Sequence, residues 1–219
     1  MEDDGLLAAA DCKLRRRLFV EAWSDSERLL LAARRDCWRA QNLAGRVHLE
    51  WGKASEDELR DSRLERAIGF FDAALALLPD DSDDVIEIIN DRGVSRYELG
   101  HLDEAKADFQ AVLLRRPHHE SALCNMGLIL WAGGHTRGAL SRFDQAIAAA
   151  KGTNPCSLNN RGALRLEVIG GEEGAHVALP DFHAALALDG GYETARRNRD
   201  HALETLAQPV PLPPVAEPV

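Results

Sequence analysis

The sequence predicts an all-α fold of stacked helical hairpins, and three regularities predict it. A glycine is followed seven residues later by another at Gly45/Gly52, Gly93/Gly100 and Gly127/Gly134, with a degenerate fourth pair at Gly162/Ile169. Each pair leads into an Ala-x3-Phe: Ala67/Phe71, Ala105/Phe109, Ala139/Phe143 and Ala178/Phe182. Gly93 to Gly127 is 34 residues, as is Phe109 to Phe143. A period of that length made of two helices marks a repeat array, in which each unit buries its apolar face only against its neighbours. The functional question therefore moves from catalysis to binding.

Composition narrows that question. The 219 residues are 45% hydrophobic, 28% charged and only 5% aromatic, which suits a globular chain whose helices pack through small residues. A formal charge of −10 opposes general affinity for nucleic acid, because phosphate is repelled by an acidic surface. Cys12, Cys37, Cys124 and Cys156 form no CxxC, and reduced thiols in a cytoplasmic protein are expected. The opening Met-Glu-Asp-Asp has the wrong charge for a secretory leader and no apolar run follows. The longest uncharged stretch, Ser121 to Gly134, is too short and glycine-rich to cross a bilayer.

The elements follow in order. Leu6, Ala9, Ala10, Leu14, Leu18 and Ala22 recur at helical spacing, predicting one helix over 6–22. Ser24 to Glu27 reads as a capping box opening a second helix, uninterrupted by Gly or Pro until Gly45 and so expected to reach about Trp51. Lys53 to Arg63 is polar and reads as an inserted loop with a turn of helix, before a helix over 64–78 that stops at Pro79. Helices are then expected over 85–99 and 102–115, over 120–133 and 136–150, and over 155–168 and 179–188. Gly170 to Ala175 is read as a loop, because Pro180 is tolerated only in a helix's first turn. Tyr192 to Leu206 puts Tyr192, Ala195, Ala202, Leu203 and Leu206 on one face, the pattern of a capping helix with one wet side. Gln208 to Val219 holds five prolines and no packing pattern, so a disordered, polyproline-like tail is expected.

These residues closely resemble the tetratricopeptide repeat (TPR) family. Its 34-residue unit wants a small residue at place 8, Gly at 15, Ala at 20, an aromatic at 24, a small apolar residue at 27 and Pro at 32. The unit from Ile86 supplies Gly93, Gly100, Ala105, Phe109, Val112 and Pro117 there; the unit from Glu120 supplies Gly127, Gly134, Ala139, Phe143, Ala146 and Lys151. The unit from Trp38 matches with Gly45, Gly52, Ala67, Phe71, Ala74 and Pro79 once inserted residues are allowed, and the unit from Pro155 with Gly162, Ala178, Phe182 and Ala185. The resemblance implies a right-handed superhelical stack of four repeats (38–79, 86–119, 120–153 and 155–190). A helical N-terminal extension (1–37) precedes it, and a capping helix (191–207) and the tail (208–219) follow.

The resemblance also implies that the first helix of each hairpin lines a concave groove. The groove residues so assigned are Arg39, Asn42, Arg46, Asn90, Tyr97, Asn125, Trp131, Asn159 and Asn160. Asparagine is unfavourable inside helices, so its recurrence has two readings: amides that bond an extended peptide's backbone, or amides that bond the neighbouring helix. Tyr97 and Trp131 share one place in successive units and read either as an aromatic floor for an apolar anchor or as packing under the next hairpin. Arg39 and Arg46, two turns apart, could clamp a carboxylate, but a solvated face is the stronger reading. Lys13 with Arg15 to Arg17 also reads as a solvated flank. His118 and His119 are adjacent and cannot share a metal as HExxH does; no P-loop, catalytic triad or dinucleotide motif appears, so neither enzyme activity nor a cofactor is expected. The expected function is a scaffold or adaptor that holds a peptide or partner helix, with a basic or apolar-anchored partner, no nucleic acid and no membrane, and the chain a monomer. The alternative is a structural subunit packed permanently in a larger or self-associated assembly.

Overall fold

The computed structural model describes residues 2–32, 37–79 and 81–207, and among them the fold is all-α, with eleven helices and no strand. The helices are α1 (Glu2–Arg15), α2 (Phe19–Ala32), α3 (Trp38–Lys53), α4 (Arg60–Leu77), α5 (Asp84–Glu98), α6 (Leu102–Arg115), α7 (Glu120–Ala132), α8 (Thr136–Ala149), α9 (Pro155–Ile169), α10 (Gly171–Leu188) and α11 (Glu193–Ala207). The chain divides into two compact units on either side of the Met126–Gly127 bond, which lies within α7. None of the described helices is long and apolar enough to cross a membrane.

One contact recurs in every hairpin. A methyl group on Gly45 would fall 2.6 Å from Phe71, one on Gly93 2.8 Å from Phe109, one on Gly127 2.5 Å from Phe143 and one on Gly162 2.8 Å from Phe182. The four rings are completely buried. Each phenylalanine thus lies against the glycine of its own hairpin, where any side chain would push the two helices apart. Ala67, Ala105, Ala139 and Ala178 are equally buried one turn before the rings. In the first unit this seam joins a core of Leu49, Leu64, Ala67, Phe71, Ala74 and Ile88, while Ala10, Leu14, Ala22, Leu43 and Val47 knit α1, α2 and α3 together. In the second unit, Ala175, Ala178 and Phe182 pack against Ala202 of α11.

Several expectations are corrected. The predicted helix over 6–22 is two helices, broken at Arg16–Leu18. Arg17 takes a left-handed φ of 58°, with Leu18 N–H bonding Lys13 O at 2.9 Å and Arg17 N–H bonding Leu14 O at 2.9 Å. That is a Schellman closure with arginine in the place usually held by glycine. The Ser24–Glu27 run caps nothing: it lies inside α2, where Ser26 Oγ donates to Trp23 O at 2.8 Å and Asp25 pairs with Lys13. The second helix does not run unbroken to Trp51: α2 spans Phe19–Ala32, and a separate helix, α3, begins after Cys37, whose backbone is extended. Gly52 is a packing position inside α3, 2.9 Å from Leu64 once given a methyl group, and not a turn.

The second hairpin's turn at Gly100 (φ 80°) and the third's at Gly134 (φ 75°) follow the expectation. In the fourth, Ile169 ends α9 and Gly170 (φ 69°) makes the turn. Gly170 to Ala175 is then no loop, since α10 is continuous from Gly171 through Pro180. Pro180 and His176, the residue whose carbonyl loses its helical donor, are both exposed, so water can replace the missing bond. The buried run Gly174, Ala175, Ala178 holds the preceding turn against α9. Leu203, expected on the buried face of α11, is 45% exposed; Ala195 and Ala202 carry that contact. The tail at 208–219 lies outside the described residues.

Candidate functional site

The first unit contains a cleft of about 900 Å³ walled by α1, α3 and α5. Three of the nine groove residues line it. Arg46 of α3 reaches Asp11 of α1 at 2.9 Å, and Asp11 also pairs with Arg15 at 2.8 Å. Arg39, at the start of α3, is exposed and lies over the Trp38 ring at 5.4 Å. Asn42 lies between them, its Oδ1 buried and without a donor. Arg15 and Arg17 border the cleft as well and are exposed, as the solvated-flank reading expects.

On the opposite wall Asp91 of α5 faces the cleft beside Glu87. Burial pushes its carboxyl up to about 6; Arg46 opposes the shift, and Glu87 and Glu50 add to it. Asn90 is buried, donates from Nδ2 to Asp91 Oδ1 at 3.4 Å, and leaves its own Oδ1 without a donor. Amide and acid oxygens outnumber donors along this part of the wall, an arrangement that suits N–H groups of a ligand. Tyr97 is half-buried with its hydroxyl pKa raised by burial and then by Glu98, and it does not line the cleft; nor does Asn125.

In the second unit the remaining residues are largely engaged. Trp131 donates from Nε1 to Glu167 Oε2 at 3.0 Å, sets its ring edge-on to Phe143, and borders a smaller hollow of about 480 Å³. Asn159 is 2% exposed; its Nδ2 donates to Asn160 Oδ1 at 3.3 Å and its Oδ1 accepts from Asn198 of α11 at 2.8 Å. Asn160 is half-buried beside it. Asn159 thus follows the second reading of the asparagines, bonding a neighbouring helix, while Asn42 has an oxygen without a protein donor at the cleft. Cys124 is buried and Cys156 exposed. His119 accepts from Ala122 N–H at 3.2 Å and stands 3.3 Å from Glu87, at the start of α7.

Sequence reasoning missed a repeated ion network. Asp108, 4% exposed, accepts from Arg92 Nε at 3.1 Å, Arg92 Nη2 at 2.6 Å and Arg96 Nη1 at 2.7 Å, while Arg92 Nη1 reaches Asp72 of α4 at 2.7 Å. In the second unit Asp181 accepts from Arg161 Nε at 3.0 Å, Arg161 Nη2 at 2.6 Å and Arg165 Nη1 at 2.9 Å, and Arg161 Nη1 reaches Asp144 of α8 at 2.7 Å. Each network ties a hairpin to the one before it. The signal was legible: Arg immediately before the packed glycine and again three residues after it, with Asp immediately before the packed phenylalanine.

No protein-family model matches the chain, and no curated protein matches it. Solved structures do. TTC0263, a thermophilic TPR protein in Thermus thermophilus, superposes with a TM-score of 0.73 at 15% identity, covering 92% of this chain and 99% of that one. YrrB, a TPR protein with an unusual peptide-binding site, gives 0.53 at 15% identity over 89% of this chain and 90% of its own. The first TPR of Spaghetti (RPAP3), bound to the HSP90 peptide SRMEEVD, gives 0.51 at 17% identity over 58% of this chain and 97% of its own. With four glycine–phenylalanine seams in helical hairpins and these neighbours, the chain has the tetratricopeptide repeat fold.

Proposed function

We propose that this protein is an interaction scaffold or adaptor whose cleft between α1, α3 and α5 holds a peptide or partner helix. The observation that carries the reading is the buried Asn42 oxygen, without a donor in a cleft of about 900 Å³. An acceptor with no protein donor, set in the wall of a cleft, is placed to take an N–H from a ligand in exchange for water. Two of the structural neighbours are peptide binders by description, which supports a peptide ligand for this fold. The acidic side of the cleft (Glu50, Asp84, Glu87 and Asp91) together with the net charge of −10 favours a partner bearing basic side chains. Asn90, whose Oδ1 also lacks a donor, extends the proposed surface on the α5 wall; Tyr97 and Asn125 do not line the cleft, and Trp131, Asn159 and Asn160 belong to the second unit. The partner is a protein without nucleic acid or lipid, met in the cytoplasm, where the four free cysteines stay reduced.

The test is a panel of fluorescein-labelled peptides, basic, acidic and apolar, titrated by fluorescence anisotropy. A basic peptide binds, and the Asn42→Ala/Asn90→Ala variant weakens it by about thirtyfold, since each amide contributes on the order of 1 kcal/mol. A folded double variant that binds the same peptide unchanged would move the site off this cleft. Preference for the acidic peptide would overturn the partner chemistry.

A further inference from the structure

On the other side of α3 from the cleft, α2 and α4 enclose a second hollow of about 640 Å³. Its floor is His48, 3% exposed, with neither ring nitrogen hydrogen-bonded. Its walls are Trp23 and Leu30 of α2 and Phe70 and Ala73 of α4. His48 stands 4.6 Å from the Trp23 ring and 5.5 Å from the Phe70 ring, centroid to centroid. Beside the hollow Leu31 is 70% exposed.

Two further features point outward from this face. Glu27 on α2 and Arg66 on α4 border the hollow, and neither forms an ion pair among the described residues. Gly69 lies in the middle of α4, exposed, and a methyl group there would meet nothing within 4 Å. The glycines inside α3, α5, α7 and α9 are required by close contacts within the chain. Gly69 is not, although glycine in a helix interior is unfavourable relative to any ordinary residue but proline. A position kept small without internal cause suits close approach from outside.

We propose that this face pairs with a second copy of the chain about a two-fold axis passing near Gly69. Knob and hollow lie on one surface, and so do an unpaired acid and an unpaired base. That is the self-complementarity an isologous interface demands, where one residue meets its reciprocal in the partner and the reverse. Leu31 of one copy enters the hollow of the other, Glu27 meets Arg66 across the axis twice, and the α4 helices cross closely at Gly69. The pairing departs from the monomer expected from sequence. It does not depend on the cleft, which opens on the opposite side of α3 and stays accessible in both copies. The assembly is then bivalent toward any ligand presented in tandem.

Sedimentation velocity of the full chain, from about 1 µM to about 500 µM, reads the proposal directly. A concentration-dependent dimer is expected. Gly69→Leu raises its dissociation constant at least about tenfold, while its thermal midpoint at a monomeric concentration stays level or rises, since leucine favours helix and space is open. Glu27→Arg and Arg66→Glu each weaken pairing, and the double variant Glu27→Arg/Arg66→Glu recovers most of it, because the pairs are merely reversed. A chain that stays monomeric throughout overturns the proposal, and would leave the face to a different protein. A dimer indifferent to Gly69→Leu, or charge reversals that do not rescue one another, overturns it as well.

Discussion

The second hairpin of the first unit and the hairpin before it share one seam and differ in the layer beside it. In α5–α6, Arg92 precedes the packed glycine, Arg96 follows it by three and Asp108 precedes the packed phenylalanine. In α3–α4 the same three places hold Ala44, His48 and Phe70. One hairpin fills the layer with an ion network that reaches Asp72 of its neighbour; the other fills it with stacked rings and an imidazole that bonds nothing. The glycine–phenylalanine contact therefore sets the hairpin, and the adjoining layer is free to be ionic or aromatic. Buried ion networks are frequently no more stabilising than apolar packing of similar volume, although removing one member of such a network is costly.

That contrast can be broken most forcefully at Asp108. Asp108→Ala leaves Arg92 and Arg96 partly buried without their acceptor, and a loss of about 3–5 kcal/mol is expected in urea unfolding followed by circular dichroism. Exchanging the whole layer instead, Arg92→Ala, Arg96→His and Asp108→Phe together, is expected to stay within about 1–2 kcal/mol of the parent. If the triple exchange is as damaging as the single one, the two layers are not interchangeable.

The aromatic layer carries an acid sensitivity of its own at His48. Burial first, then Arg66 and Arg63, lowers the His48 pKa from 6.5 to about 4. The unfolded chain thus binds the proton more tightly between those values. Stability falls as pH drops from 6.5 toward 4, by up to about 3 kcal/mol. Urea midpoints at stepped pH should show that slope, and His48→Leu should flatten it.

Asp91 works in the opposite sense, over a slightly narrower shift. Its carboxyl, raised to about 6, is held protonated more tightly when folded, so its contribution is present below about 4 and lost as pH rises through 6. Asp91→Asn should stabilise the chain above that range by up to about 3 kcal/mol and be neutral below it. No gain at pH 7 would mean that Arg46 already compensates the charge.

Much of the fold could be read from the sequence because its signals are local and steric. Glycine, alanine and phenylalanine at a fixed beat place the seam, and Gly100 and Gly134 announce their turns. The misreadings arose where tertiary contacts override local preference. Arg17 takes a glycine's conformation, Asp25 and Ser26 sit inside α2 and bond Lys13 and the Trp23 carbonyl instead of capping a helix, and Pro180 is accommodated on the wet side of a helix held from the other face. The cleft was half legible. Arg39, Asn42 and Arg46 come from one helix and could be aligned by counting, whereas the wall supplied by α1 depends on the break at Arg16–Leu18 that counting did not reveal. Asn198, which occupies Asn159, lies 39 residues away with no motif to join them.

Helices α4 and α10 each run 18 residues where α6 and α8 run 14, and in both the buried alanine sits eighth instead of fourth. The added length is one turn at the beginning of the helix, so the face that packs keeps its heading. In α4 and α10, then, part of the extra length is carried as a turn outside the seam, and in the first hairpin the rest goes into a longer α3 and the 54–59 connection. A hairpin can thus present a taller rim without renegotiating its interior.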